Sequence, residues 1–325
     1  MNTKAIGGYF ELELPDRGSF LHDDGVLLNS GRNALEYVLR SLPAIKHLWI
    51  PYYTCEVVLE PVKKLDIPFS FYHINDKLEI RQPIDLGTSD YLLYTNYFGI
   101  KDSYIESLAS KYGIHLIVDN AQAWFTDPIP GTSTIYSPRK FVGVPDGGVA
   151  YCPNGIDIEQ FEQDYSYGRF SHLLKRIDIG PTDGYQDFRE NSKSIVNQPI
   201  RRMSKLTKRL LRSIDFEQIK NRRIVNFRHL DECLREMNSF SIPPSRSFVC
   251  PMVYPFFCLD TTLRSKLIGN RVFVATYWPN VTDWTNGVGL EHELSSCLLP
   301  LPCDQRLITD DLQVLIQHLC NGIYR

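Results

Sequence analysis

Ile114-His-Leu-Ile-Val-Asp119-Asn-Ala-Gln122-Ala, followed after nine residues by Ser133-Thr-Ile-Tyr-Ser-Pro-Arg-Lys140-Phe-Val-Gly-Val-Pro-Asp-Gly-Gly148, is where the fold becomes readable. A short apolar run that closes on an aspartate reads as a buried strand, and open α/β sheets meet their ligands at such strand ends. On either side, from about residue 30 to 151, short apolar runs at 47–50, 69–74, 91–95, 114–119 and 148–151 alternate with helix-like stretches at 31–41, 55–64 and 104–112. That alternation points to an α/β domain with a mostly parallel sheet. Residues 156–238 read as mostly helical around a polar, glycine-containing interruption at 180–191. There Ile200, Met203, Leu206, Leu210 and Ile214 recur at helical spacing. The last hundred residues mix β-rich runs (248–259, 272–278) with one helix, for which Thr309 is the expected N-cap and Leu312, Leu315, Ile316 and Leu319 the apolar face.

Composition narrows the possibilities. With 325 residues, 43% hydrophobic and 22% charged, the chain is ordinary for a globular protein and long enough for about two domains. A formal net charge of -3 carries no nucleic-acid signature, and no apolar run is long enough to span a bilayer. The first residues lack the basic-then-apolar order of a secretion signal. Eight scattered cysteines without a C-x-x-C pair read as reduced thiols of a cytoplasmic protein. The eight histidines show no ligand-like spacing, so no metal is expected. Between Arg201 and Arg228 ten Lys/Arg face two Asp/Glu; this could steer a phosphorylated ligand, though a solvated helix face is the commoner meaning.

Two residues carry chemistry. Lys140 lies among aromatic and apolar residues before a Pro-Asp-Gly-Gly turn, a setting in which an amine can attack an aldehyde. Asp119, at its strand end, could hold a cationic ring nitrogen. A Schiff-base lysine and a carboxylate for a pyridinium are what pyridoxal 5'-phosphate chemistry demands of a protein. Singly each is weak: a strand-closing Asp is as often a turn cap, and a lone Lys is usually on the surface.

The surrounding blocks resemble the DegT/StrS-type family of pyridoxal phosphate-dependent aminotransferases, many of which aminate nucleotide-linked keto-sugars. Val118-Asp119-Asn-Ala-Gln122-Ala is similar to that family's Glu-Asp-Ala-Ala-Gln-Ala block, and Tyr136-Ser-Pro-Arg-Lys140 with Asp146-Gly-Gly148 to its lysine block. Ser30-Gly-Arg-Asn-Ala-Leu35, Ile50-Pro-Tyr-Tyr-Thr54, Tyr97-Phe-Gly99 and Leu299-Pro-Leu-Pro302 resemble further family blocks in the same order. The resemblance implies a type I fold: a large domain (1–225) with a mainly parallel central sheet and a smaller C-terminal α+β domain (226–325), the segment 1–25 packing on the latter. It implies Lys140 and Asp119 as catalytic residues, Lys140 bonding to the cofactor and then shuttling a proton. Gln122 would bond near the cofactor ring or the substrate. Ser30, Gly31, Arg32, Asn33, Cys55 and Ser137 would complete the cofactor site. Tyr53, Tyr97, Gln186 and Trp278 are candidates to meet substrate, Trp278 because Tyr277-Trp278-Pro279-Asn280 could line a pocket. Implied too are glutamate as donor, a nucleotide keto-sugar as acceptor, a role in surface-polysaccharide synthesis, and a homodimer.

Some positions depart from that pattern. Where the family has a phosphate-binding Ser five residues before the lysine, this chain has Ile135, leaving Ser137 as the nearest hydroxyl. Cys55 stands where an aromatic ring usually stacks on the cofactor. The Gly-x-Asn-x-Arg segment survives only roughly as Gly184-Tyr-Gln-Asp-Phe-Arg189. These departures leave open a non-sugar keto substrate, or a non-catalytic binding protein that retains the fold.

Overall fold

The computed structural model describes residues 6–323. The chain opens with β1 (Val26–Leu28), α1 (Gly31–Ser41), β2 (His47–Pro51), α2 (Leu59–Lys64) and β3 (Phe69–Tyr72). Next come β4 (Asp90–Thr95), α3 (Asp102–Tyr112), β5 (Leu116–Asp119), β6 (Ser133–Tyr136) and β7 (Gly148–Tyr151). Four helices follow: α4 (Ser171–Asp178), α5 (Tyr185–Ser194), α6 (Lys205–Ser213) and α7 (Phe216–Leu234). The last third holds β8 (Val253–Phe257), α8 (Leu263–Gly269), α9 (Pro279–Trp284), α10 (Leu290–Cys297), β9 (Leu298–Pro302) and α11 (Thr309–Ile323).

The first seven strands form one sheet in the order β1-β7-β6-β5-β4-β2-β3. From β6 to β3 all neighbours are parallel, and only β7 runs against the strands beside it. Both faces are covered, as parallel sheets require. Along β4 and β5 the side chains alternate: Leu92, Tyr94, Leu116 and Val118 enter one core with Phe227 and Leu299. Tyr91, Leu93 and Ile117 enter another with Leu35 and Val38 of α1. Each fully buried Leu or Val contributes about 1.5–3 kcal/mol. The two short strands β8 and β9 pair antiparallel, and Leu312, Leu315 and Leu319 of α11 are buried in the same core.

One close approach sets the geometry of the sheet's β1 edge. Gly147, at φ +113°, donates its N–H to Asn29 O at 3.0 Å. A Cβ on Gly148 would lie 2.2 Å from Ser30 O and 2.7 Å from Gly31 N. Only glycine lets β7 run this near the start of α1.

The α/β reading and five of its strands stand, with the 114–119 run shortened because Gly113–His115 forms a 3-10 turn first. β1 and β6 were not anticipated; β6 starts Ser-Thr, polar residues that hide a fully buried strand. In the helical region α5 already begins at Tyr185, so the interruption is confined to 180–184. Ile200 and Met203 are buried but precede α6, which Ser204 caps through its bond from Thr207 N. Of the late β-rich runs only 253–257 is a strand; 272–278 is an extended connection into α9. Thr309 is the first residue of α11 rather than its cap, and the Asp311 carboxylate accepts from Ile308 N at 2.9 Å. Residues 14–17 bond to α6 and Asp215 rather than to the C-terminal elements, because Arg209 and Arg212 attract them. Arg209 binds Leu14 O and Asp16, Arg17 N donates to Arg212 O, and the Arg17 side chain pairs with Asp215. None of the eight cysteines is paired. No helix among the described residues is long and apolar enough to cross a membrane.

Because a methyl group at position 148 meets backbone atoms that cannot step aside, Gly148→Ala should cost on the order of 1–3 kcal/mol. Urea unfolding followed by circular dichroism should show a lowered midpoint at unchanged slope; an unchanged midpoint would mean that the contact relaxes freely.

Candidate active site

β5 delivers Asp119 to the end of the sheet, in register with Thr95 and Ile135. The carboxylate is buried and accepts one bond, from Ala121 N at 2.9 Å, while its own carbonyl receives Asn96 N. Burial raises its pKa, and the nearby Lys140 cation and the Ala121 N–H pull against that rise. An additional cation against this carboxylate would therefore be welcome.

Lys140 ends the 3-10 turn that follows β6, a turn whose Pro138 carbonyl receives Phe141 N and Val142 N. Its ammonium makes no hydrogen bond or ion pair among the described residues, and the side chain is exposed in a cleft rather than enclosed by apolar groups. Its charge reaches both Asp119 and Cys55. Cys55 senses Lys140, Arg32 and Asp119 together, which puts its thiol where the three converge; burial raises its pKa against the two cations.

The start of α1 supplies a different kind of surface. Ser30 Oγ accepts from Asn33 N at 3.1 Å and donates to Asn33 Oδ1, and Asn33 Nδ2 donates to Gln198 O at 2.9 Å. Ser30 and Asn33 are thus occupied in building the helix end. The N–H groups of Gly31 and Arg32 have no acceptor among the described residues, and Ser137 Oγ makes no hydrogen bond there. A Cβ on Gly31 would come 3.3 Å from Ser137 Cβ, so the glycine keeps open a cradle between helix end and hydroxyl. Two free amides at a helix N-terminus beside a serine hydroxyl suit a phosphate. Ile135 points into the core and offers the cleft no polar group. Arg32 pairs with Glu60 at 3.2 Å.

Gln122 is buried, its Oε1 accepting from Phe98 N at 2.7 Å and its Nε2 left without an acceptor. It braces the turn at Gly99 (φ +68°), where a Cβ would meet Cys250 O and Gln122 O within 2.8 Å. Tyr53 and Tyr97 are fully buried, Tyr97 donating to Tyr53 O at 2.8 Å, and Trp278 packs edge-on against Tyr53. These three are core residues behind the cleft, not part of an open wall. Gln186 stands on the outer side of α5, exposed and bonded to Glu190, because the segment 184–189 coils into a helix. What passes the start of α1 is instead the stretch around Gln198, whose carbonyl receives Asn33.

One feature escaped sequence reading, and one candidate shifts by a residue. Within the Tyr277-Trp278-Pro279-Asn280 stretch, Tyr277 rather than Trp278 faces the cleft, stacking on Phe98 (6.1 Å, 28°) and lying in the field of Cys55. Beside Lys140 a cavity of about 390 Å³ opens, lined by arginines from four separate segments. No spacing signal could have announced it, since only the fold assembles Arg139, Arg176, Arg223 and Arg306. No group of His, Cys, Asp and Glu among the described residues is placed to hold a metal ion.

No family model matches the chain, and no curated protein matches it. Solved structures do. A DegT/DnrJ/EryC1/StrS aminotransferase from Brucella abortus is 14% identical over 91% of this chain and 85% of its own, with a TM-score of 0.61. NtdA from Bacillus subtilis, with bound cofactor PMP, is 15% identical over 92% of this chain and 73% of its own, at 0.61. A sugar aminotransferase from Micromonospora echinospora is 12% identical over 91% and 87%, again at 0.61. At such identities the likeness establishes the fold: this chain has the fold of those aminotransferases over nearly its whole length.

The thiolate is the reactive form of cysteine, and burial disfavours it at Cys55. Iodoacetamide should therefore modify exposed Cys233 at least about tenfold faster than Cys55 near pH 8. Peptide mass mapping against time measures both, and equal rates would mean that the cleft is more open than described.

Proposed function

We propose that this chain is a pyridoxal phosphate-dependent aminotransferase of the DegT/StrS type, moving an amino group onto the keto group of a nucleotide-activated sugar. The observation that carries the reading is the convergence of Lys140 and Asp119 on one cleft whose other end offers the free amides of Gly31 and Arg32 and the Ser137 hydroxyl. These are the groups that such a cofactor needs, at a nitrogen, an aldehyde and a phosphate. When bound, pyridoxal phosphate supplies an aldehyde that takes up the amine and a ring that accepts the electrons released at the substrate carbon.

The rest is work for the chain. Gly31 and Arg32 hold the phosphate on the α1 dipole, with Ser137 adding a third donor. Asp119 would hold the ring nitrogen of the bound cofactor, its charge acting strongly in a buried setting. Lys140 Nζ takes a proton from the substrate carbon and returns it. Cys55, small and uncharged at neutral pH, would cover a bound ring less than an aromatic side chain would, and Tyr277 lies beside it.

In this reading glutamate is the donor, two copies form a dimer, and the product enters surface-polysaccharide synthesis in the cytoplasm. The proposed boundary between a large cofactor domain and a small C-terminal one, at 225/226, falls inside α7. That helix carries Arg223 to the cavity beside Lys140 and sends Phe227 and Leu230 into the core shared with β8, β9 and α11.

Protein mixed with pyridoxal phosphate should show a visible absorbance band that borohydride bleaches, leaving a pyridoxyl group on Lys140 in mass mapping. Lys140→Ala should lose the adduct and lower kcat by at least about 10²–10⁴-fold. Asp119→Asn should keep the adduct while losing about 10²-fold or more in rate, since it removes charge without volume. No adduct at saturating cofactor, or a Lys140→Ala protein that still transaminates, would overturn the assignment.

A further inference from the structure

Cys55 reaches the cleft from a single extended residue. Its backbone (φ -72°, ψ 135°) lies between the end of β2 and a 3-10 turn, Glu56–Val58, that leads into α2. Its own carbonyl receives Val58 N at 3.1 Å, and Thr54 N donates back to Tyr52 O at 3.0 Å. That leaves the Thr54 carbonyl and the Glu56 N–H, the latter because the first amide of a helical turn has no partner inside the turn.

Asn280 takes both. Its Nδ2 donates to Thr54 O at 3.0 Å, and its Oδ1 accepts from Glu56 N at 3.3 Å. One side-chain amide thus bridges the two peptide groups on either side of Cys55, as one residue of a parallel strand bridges its neighbour. Among side chains of this length only asparagine carries an amide donor and a carbonyl acceptor together. The amide is itself well anchored. Asn280 follows Pro279, which opens α9 and pre-sets the backbone there. Trp278 before it is buried edge-on against Tyr53, and its carbonyl accepts from Ser295 Oγ at 2.7 Å and Val281 N at 3.1 Å. The start of α9 is therefore fixed to the core and to α10 without help from the bonds of Asn280.

The thiol between the clamped peptides lies in the field of Lys140, Arg32 and Asp119 at once. Those are the segments assigned above to an aldehyde, a phosphate and a ring nitrogen, so a ring held by all three has residue 55 as a neighbour. We propose that Asn280 is a positioning residue for the cofactor: by clamping the peptides on both sides of Cys55 it fixes the wall beside the pyridoxal ring. The proposal rests on the aminotransferase reading above and adds to it a residue from the last third of the chain that acts through Cys55.

A second tie between neighbouring elements supplies the comparison. Glu291 of α10 is buried; it accepts from Ile74 N at 2.9 Å and pairs with His73 Nδ1 at 3.0 Å, just beyond β3. His73→Ala loosens that tie while removing no bond to residues 54–56.

The first readout is alkylation of the cofactor-free protein by iodoacetamide, followed by peptide mass mapping. Asn280→Leu removes both bonds at similar volume. It should speed modification of Cys55 about fivefold or more and leave Cys233 unchanged, because a segment that opens locally exposes its thiol. The second readout is titration with pyridoxal phosphate, followed by the visible absorbance band. Here Asn280→Leu should bind about tenfold more weakly, in keeping with the loss of two neutral hydrogen bonds. Asn280→Asp keeps an acceptor for Glu56 N and loses the donor to Thr54 O; it should shift both readouts in the same direction. His73→Ala should shift neither. An unchanged Cys55 rate in the Asn280 variants, an equal acceleration in His73→Ala, or undiminished cofactor affinity would overturn the proposal. Failure of Lys140 labelling in the unaltered protein would instead strike the aminotransferase reading.

Discussion

The contact between Gly148 and Ser30 is the constraint on which the candidate site depends. With 2.2 Å between Ser30 O and the place a Cβ would occupy, the start of α1 and the start of β7 share one backbone-only interface. That interface orients the α1 N-terminus, and the helix end in turn lies against Ser137, three residues before Lys140. The cradle of free amides and the lysine are thereby referred to one rigid feature rather than to separate loops. Asp119 enters from the neighbouring strand, positioned by ladder pairing with β4 and β6.

Electrostatics divides the cleft in two. On the sheet side a single buried carboxylate faces one lysine, and burial works against its charge. On the other side lies a cavity whose cations outnumber its acids, built by the turn after β6, three helices and the loop after β9. Lys140 borders both. A site arranged this way handles a cation at one end and an anion at the other, with the amine between them.

Other charges in the molecule resolve locally. Of the basic run between Arg201 and Arg228, Arg201 and Arg202 meet Glu162, Asp164 and Glu159, and Arg209 and Arg212 meet Asp16 and Asp23. These partly exposed pairs are worth little each in water. They nonetheless show that four of the ten cations in the run hold neighbouring segments, and Arg223 is the member that turns inward to the cavity.

What the sequence determined by itself is what depends on neighbours along the chain. Buried strands demand apolar runs, so β2, β4, β5 and β7 were visible, and Ser30 with Gly31 announced a capped helix whose bounds the structure reproduces. Asp119 and Lys140 were legible because their blocks carry order and spacing. Tertiary structure decided which groups are free to act. Ser30 and Asn33 satisfy each other, leaving Gly31, Arg32 and Ser137 uncommitted; Tyr53, Tyr97 and Trp278 sink into the core; Gln186 turns to solvent on α5. The choice of Tyr277 over Trp278 and the arginine cavity also came only from the fold. Burial and hydrogen-bond satisfaction depend on residues far apart in sequence, and no local pattern encodes which of four distant arginines will share a wall.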